Sequence, residues 1–268
     1  MARAFTVAGM LAIFAAAAVL HAVTFGQPDG NRHPFVGTII FQTPTGYFSC
    51  SGTQMTASVF LTAGHCTEED GVANLKTWLK FDSQIAFPGR ANYPNLGAFL
   101  DDPKNGWIKG TAIPHPQFDS FSEFPATFDV GVVVLNQQVA FAMYGALPPV
   151  GFLETIRRAA DNRFTVVGYG MQGLIKPFFG DKYERQFGTT KLIELKSTFD
   201  AGMTAKYTNN PGTGGGTCFG DSGGPIFYGN TNMVVSVVSW GITPCIGVDY
   251  NFRTDTSIAQ NFLRQYIP

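Results

Sequence analysis

Three residues that could act together on a carbonyl group lie far apart in the sequence: His65, Asp129 and Ser222. A serine hydroxyl is a weak nucleophile at neutral pH, so it needs a base that takes its proton as it attacks. Imidazole has a suitable pKa for this step. A carboxylate can fix the tautomer of the imidazole and stabilise the imidazolium that forms. The three side chains together predict covalent hydrolysis of an acyl group.

The local sequences around these residues favour the same chemistry. Ser222 lies in "TCFGDSGGPIF", whose glycines let the backbone approach a substrate closely, and the amides of Gly220 and Ser222 could hold an oxyanion. His65 ends the strand-like "LTAGHC", and Asp129 begins the apolar "DVGVVVL". Taken singly, each residue has an ordinary structural alternative: a packed histidine, a turn aspartate and a tight turn between two strands.

The elements that must position these residues are predicted to be strands. Short runs rich in Val, Ile, Phe and Thr recur between clusters of Gly, Pro, Asn and Asp, a pattern typical of a β-barrel or sandwich. The stretch "ALPPVGFLETIRRAAD" looks like a connector between two β halves. A C-terminal helix is predicted over about residues 255–266, with Asp255 or Thr256 as its N-cap.

Composition limits the classes of function. The 268 residues are 45% hydrophobic and 14% charged, with a formal net charge of −1 and no basic run, so nucleic acid is not an expected partner. Residues 1–22 have the charged start and apolar middle of a signal peptide, with cleavage expected after Ala22. A membrane anchor is the alternative for this segment. After removal of the signal we expect a secreted protein without a membrane partner.

The four cysteines fit an exported protein. An even number predicts two disulfides, for which three pairings are possible. The sequence has no CxxC pair and no Cys/His cluster with zinc spacing. The acidic "TEEDG" after Cys66 is interpreted as a solvated loop. We therefore expect neither a metal nor another cofactor.

The chain resembles the chymotrypsin/trypsin-like serine endopeptidases over nearly all of residues 23–268. The stretches "TAGHC", "FDVGVVVL" and "GDSGGP" are similar to the family's His, Asp and Ser motifs, in the family's order. The resemblance implies an all-β fold of two six-stranded antiparallel β-barrels with a C-terminal helix and the active site in the cleft between the barrels. The first barrel would span about residues 30–145 and the second about 160–250.

The resemblance also implies roles for further residues. The disulfide pairs would be Cys50–Cys66 and Cys218–Cys245. Asp221 would pair with a free N-terminal amino group, and Val23 is the candidate, so signal cleavage itself would create the active N-terminus. The alternative is that Asp221 pairs with another group and no activation occurs.

The residues that would bind the substrate follow from the same resemblance: Gly216, Thr217, Ser239, Trp240 and Gly241. Gly216 would lie at the base of the pocket for P1, the substrate residue that precedes the cleaved bond. Since glycine supplies no acid there, an apolar or aromatic P1 side chain is expected. Asp249 could instead reach the pocket and favour basic residues, but we interpret it as a solvated loop acid. Ser239 is also expected to hydrogen-bond Asp129.

The function implied is that of a secreted serine endopeptidase acting on proteins or peptides, with protein inhibitors as possible further partners and a monomer as the family default. A non-catalytic homologue that binds partners is the main alternative, although such proteins usually lose a member of the triad. An esterase is a third reading, because residues 220–224 fit GxSxG. The strand pattern after Ser222 and the order of Asp before Ser argue against it.

Overall fold

The computed structural model describes residues 23–122, 126–157, 159–171, 183–195 and 201–268. The predicted signal peptide, residues 1–22, lies outside the described residues. The described residues form sixteen strands and two α-helices, α1 (Leu96–Asp101) and α2 (Ser257–Leu263). The strands are β1 (Gln27–Pro28), β2 (Val36–Gln42), β3 (Tyr47–Gln54), β4 (Val59–Thr62), β5 (Glu68–Glu69), β6 (Val72–Ala73), β7 (Lys76–Lys80), β8 (Ile108–Pro114), β9 (Gly131–Leu135), β10 (Phe164–Gly168), β11 (Gln186–Thr190), β12 (Leu192–Glu194), β13 (Thr204–Asn209), β14 (Pro225–Tyr228), β15 (Val234–Gly241) and β16 (Gly247–Arg253).

The first half of the chain forms a closed antiparallel barrel of six strands in the order β2-β3-β4-β9-β8-β7. Ile39, Phe60, Leu79 and Val132 are buried in its core. Burial of these apolar side chains is the main favourable contribution to the stability of such a barrel. The β4–β9 pair bears directly on the site, since its register places Thr62 opposite Gly131.

The second half forms an antiparallel sheet in the order β1-β11-β10-β14-β15-β16-β13-β12. Only Lys191 separates β11 from β12 in the sequence. In the sheet, however, β11 lies beside β1 at one end of the strand order, and β12 forms the opposite edge beside β13. The carbonyl of Lys191 accepts a 2.9 Å hydrogen bond from the N–H of Thr208 on β13. The sheet therefore curls on itself as a half-barrel of eight strands, called the second barrel below, in which the short β1 lies beside β11. The predicted trypsin-like all-β architecture is confirmed as a closed six-stranded barrel, a curled half-barrel and a short C-terminal helix.

The C-terminal helix is shorter than its predicted span. The hydroxyl of Thr256 caps it by accepting from the N–H of Ala259 at 3.1 Å, while Asp255 instead pairs with Arg253. After Leu263 the N–H groups of Gln265 and Tyr266 donate to carbonyls three residues earlier, a spacing that commonly ends helices. No helix in the described ranges is both long enough and apolar enough to cross a membrane.

A buried ion pair joins the N-terminal segment to both halves. The guanidinium of Arg185 donates to Asp29 Oδ2 at 2.8 Å and to the carbonyl of Phe81 at 2.8 Å, and it also donates to Tyr169 Oη at 3.1 Å. Arg185 and Asp29 are both 1% exposed. Because Asp29 precedes the first barrel and Phe81 follows one of its strands, Arg185 ties three separate parts of the chain together.

Candidate active site

The ends of two neighbouring strands bring His65 and Asp129 together. His65 lies in the 3-10 turn Gly64–Cys66 just after β4, and Asp129 lies just before β9, which pairs with β4. The imidazole Nδ1 of His65 is 2.9 Å from Asp129 Oδ2, and the backbone N–H of His65 donates to Asp129 Oδ1 at 2.9 Å. The carboxylate therefore fixes both the position and the ring orientation of the histidine.

The environment of this pair favours a protonated imidazole. Burial is the largest single effect and opposes the charge on His65, but the attraction of the Asp129 carboxylate and its hydrogen bond together outweigh burial, so the pKa of His65 is raised above its ordinary 6.5. Asp129 is itself fully buried, and its Oδ2 also accepts the hydroxyl hydrogen of Ser239 on β15 at 2.5 Å. The expected Ser239–Asp129 hydrogen bond is thus present, and it joins the two barrels at the site.

The loop that carries Ser222 is held against the first barrel. The N–H of Ser51 on β3 donates to the carbonyl of Ser222 at 2.7 Å, and the Ser51 hydroxyl donates to the carbonyl of Gly220 at 2.9 Å. Gly223 has a φ of +78°, and a Cβ at this position would lie 2.0 Å from Thr62 Oγ1. Only glycine meets both requirements, which explains one of the glycines of "GDSGGP".

The peptide between Phe219 and Gly220 is oriented by a backbone contact. The carbonyl of Phe219 accepts from the N–H of Met171 at 2.8 Å. In a trans peptide the N–H points opposite to the carbonyl, so the N–H of Gly220 points away from Met171. Asp221, which is fully buried, accepts from the N–H groups of Gly170 and Cys218 at 2.8 and 2.9 Å. These bonds fix the loop on both sides of Gly220.

His65 and Ser222 line the same cleft, which has a volume of about 660 Å³. Both are partly exposed, whereas Asp129 lies behind the histidine and is closed to solvent. The first barrel contributes the aromatic side chains of Phe41 and Phe48 to the lining. The arrangement can therefore present a hydroxyl, a base and an orienting carboxylate to a substrate that enters from solvent.

The family model for Trypsin matches residues 24–263. The chain belongs to the trypsin family. A curated relative described as trypsin, from Saccharopolyspora erythraea, is 26% identical over 227 residues, which cover 81% of this chain and 86% of the relative. A solved structure described as HL collagenase superposes with a TM-score of 0.66 at 18% identity and covers 91% of this chain and 97% of its own. The protein is therefore a serine endopeptidase with the chymotrypsin-like fold.

Each of the two disulfides joins segments of the chain next to the site. Cys50 is bonded to Cys66, and Cys218 to Cys245, which are the pairs that the resemblance to the trypsin family implies. The first bond lies next to His65, and the second joins two segments that line the cleft. The atoms of Cys50, His65 and Cys66 lie close enough to hold a metal ion, but the disulfide removes both thiolates as ligands.

The predicted substrate-binding residues fall into two groups. Thr217, Ser239, Trp240 and Gly241 line the cleft. Gly216 is buried beside the N-terminal segment, where its N–H donates to the carbonyl of Thr24 at 3.1 Å. A Cβ on Gly216 would lie 2.1 Å from Asn209 Oδ1, so this glycine packs against the side chain of Asn209 and does not line the cleft.

Asp249 has a different environment from the one expected. It lies in β16, is 2% exposed and lines the cleft opposite Gly241, so its interpretation as a solvated loop acid is wrong. Its Oδ1 accepts from Asn209 Nδ2 at 3.0 Å and its Oδ2 from the N–H of Thr217 at 2.9 Å. Burial outweighs these hydrogen bonds and raises the pKa of Asp249 to about 6.

Sequence reasoning missed two further residues beside the cleft-lining groups. Asn209, at the end of β13, supports Asp249, and nothing in its local sequence distinguishes it from an ordinary strand-end asparagine. The ring of Phe121 lies 5.9 Å from that of His65 and packs edge-on against Phe118.

Proposed function

We propose that the protein is a secreted endopeptidase in which His65, Asp129 and Ser222 form the catalytic triad. The observation that carries the proposal is the close pairing of His65 with a fully buried Asp129, in a cleft that Ser222 also lines. A carboxylate in this position is expected to favour the imidazole tautomer whose Nε2 can accept a proton. The loop bonds around Gly220 support its amide as one donor to the oxyanion, with the amide of Ser222 as the other.

The reaction then follows from the positions of these groups. Ser222 Oγ attacks the scissile carbonyl while His65 Nε2 takes the hydroxyl proton, and the carbonyl oxygen becomes negative beside the two amides. The imidazolium, stabilised by Asp129, gives its proton to the leaving amine as the C–N bond breaks. Water then attacks the acyl-enzyme, His65 takes a proton from that water, and Ser222 regains it when the acid product leaves.

The pocket supports an apolar or aromatic P1 side chain. Gly241 has no side chain to close the entrance, and the wall includes Val238 and the disulfide between Cys218 and Cys245. Ile242 and Phe219 are about half exposed at the rim, 49% and 52%, and offer further apolar surface. Burying a large apolar side chain here removes its surface from water, which is the main source of binding free energy for such groups.

Labelling of Ser222 separates an enzyme from a non-catalytic binding protein. A serine-directed fluorophosphonate should add to the mature protein at Ser222, as mass analysis of peptides would show, and Ser222→Ala should remove the label. Casein should be hydrolysed, and a short-chain ester should be a poorer substrate if the protein is a protease rather than an esterase. Absence of labelling in a folded protein would favour the binding homologue.

The N-terminal segment supports activation by signal cleavage. Val23 is fully buried in the core of the second half, and the carbonyl of Thr24 accepts from Gly216, five residues before Asp221. A new amino group at Val23 would therefore start beside the loop that carries Ser222. N-terminal sequencing of the exported protein should give Val23. A start well past Gly26 would rule out this route.

A further inference from the structure

The hydroxyl of Ser51 links two segments of the second half of the chain from its place on a strand of the first barrel. Ser51 lies on β3 and is fully buried. Its Oγ accepts from the backbone N–H of Tyr169 at 2.9 Å and donates to the carbonyl of Gly220 at 2.9 Å. Because an amide N–H can only donate, the single hydrogen of the hydroxyl is left for the carbonyl of Gly220. The direction of this hydroxyl is therefore fixed.

The residue that donates to Ser51 is itself held in place. Tyr169 follows β10 directly, and its side chain is 2% exposed. Its Oη donates to the carbonyl of Asp82 at 2.8 Å and accepts from the guanidinium of Arg185 at 3.1 Å. The carbonyl of Tyr169 accepts from the N–H of Tyr183 at 3.0 Å. These bonds hold the N–H of Tyr169 in position, so it orients Ser51 Oγ from a fixed point.

Gly220 needs such restraints because its own backbone supplies little. Its φ is +99°, and glycine populates positive and negative φ about equally, so the peptides on either side of it can rotate. The N–H of Met171 holds the carbonyl before Gly220, that of Phe219, at 2.8 Å. The hydroxyl of Ser51 holds the carbonyl of Gly220 itself. The direction of the Gly220 N–H, which lies between these two carbonyls, depends on both bonds.

We propose that Ser51 is a positioning residue of the oxyanion hole, whose hydroxyl fixes the Gly220 carbonyl so that the Gly220 N–H points at the oxygen that becomes negative. This rests on the proposed function, because it assumes that the Gly220 amide faces the substrate carbonyl. Ser51 is closed to solvent and acts through Gly220 alone. Its hydroxyl should therefore stabilise the transition state and contribute little to substrate binding.

Ser51→Ala in the mature protein should separate these two effects in the kinetics. With an amide substrate, kcat should fall by about tenfold, the usual effect of one buried hydrogen bond. This loss is smaller than the roughly 10²- to 10³-fold loss that follows removal of an oxyanion donor, because Gly220 remains and still reaches the productive orientation. KM should stay within about twofold of the parent value, since the lost interaction favours only the transition state.

Two matched inhibitors measure the oxyanion hole directly. In a peptidyl trifluoromethyl ketone, Ser222 Oγ adds to the ketone carbon, the hydroxyl proton passes to His65, and the former carbonyl oxygen becomes negative beside Gly220. The corresponding trifluoromethyl carbinol has nearly the same shape but forms no adduct. Both should carry the P1 residue that the parent cleaves fastest. We expect Ser51→Ala to weaken the ketone by about tenfold and to leave the carbinol within about twofold. The ratio of the two affinities does not depend on the folded fraction, since both ligands bind only folded protein.

Ser236→Ala is the matched control. It also removes the hydroxyl of a fully buried serine, whose partner at 3.0 Å is Tyr207 in the core of the second half, and it should keep the parent ratio. Should Ser51→Ala not fold, Ser51→Gly removes the same hydroxyl without adding a methyl group and should also lower the ratio. An unchanged ratio in whichever of these two variants folds would overturn the role of Ser51 and leave the proposed function standing. A parent protein that binds the ketone no more tightly than the carbinol would refute the proposed function itself.

Discussion

Ser239 Oγ donates to Asp129 Oδ2 across the boundary between the two barrels. Asp129 lies just before β9 of the first barrel, whereas Ser239 lies on β15 of the second. The same carboxylate oxygen lies 2.9 Å from Nδ1 of His65. The second barrel therefore contributes to the orientation of a histidine that belongs wholly to the first, in addition to contributing Ser222.

Replacement of Ser239 by alanine should reduce catalysis with little effect on folding. Asp129 would lose one donor, so its carboxylate would be less firmly placed and would attract the imidazolium more strongly. We expect kcat to fall by about tenfold, the value of one charge-assisted hydrogen bond, and the acid limb of the kcat/KM profile to move to higher pH. Ser239→Thr keeps the hydroxyl and should restore most of the activity. An unchanged pH profile in Ser239→Ala would show that the bond has no role in the site.

The raised pKa of His65 predicts how activity depends on pH. The base must be neutral to accept a proton, so kcat/KM should rise with pH through a single ionisation above the ordinary 6.5. In Asp129→Asn the attraction is lost while burial remains, so the acid limb should shift to lower pH. The activity should also fall, by about 10⁴-fold if the variant behaves as Ser-His-Asp triads are known to behave with the wrong tautomer. An acid limb at the same pH in both proteins would contradict this origin of the pKa.

The general architecture could be predicted because it depends on patterns that are local in the sequence. Strand-sized apolar runs between turn residues gave the β fold, and the short motifs around His65, Asp129 and Ser222 identified residues that the structure brings to one site. The order of the motifs was also sufficient to indicate the family. These features need no knowledge of how distant strands are aligned.

The features that could not be predicted depend on strand register. Whether Asp249 faces solvent or the cleft is decided by its pairing with Gly241, and a shift of one residue would have reversed its direction. The same holds for Asn209, which reaches Asp249 only because β13 and β16 are adjacent. Sequence patterns predict the strands but not their exact alignment. The buried position of Asp249 beside the cleft was therefore visible only in the structure.

The ion pair of Asp29 with Arg185 predicts sensitivity of the fold to acid. Burial opposes the charge of Asp29, but hydrogen bonds and attraction from His33, together with the bond from Arg185, outweigh it and lower the pKa of Asp29 below its ordinary 3.8. A carboxyl group whose pKa is lower in the folded state stabilises the protein above the unfolded-state pKa. This contribution should be lost as the pH falls from about 4 through the lowered folded-state value.

Asp29→Asn should therefore destabilise the protein at neutral pH by about 3 kcal/mol, because it leaves the buried guanidinium of Arg185 without its counter-charge. Urea unfolding at pH 7 would measure the loss, with Asp82→Asn as the control: Asp82 pairs with Lys80 at the surface, where such pairs contribute less than about 1 kcal/mol. When the measurement is repeated toward pH 3, the free energies of unfolding of Asp29→Asn and the parent protein should become more similar. The reason is that the parent then loses the charge that the variant already lacks. If the difference between the two free energies of unfolding stayed constant over this pH range, the ionised carboxylate of Asp29 would contribute nothing to the stability of the fold.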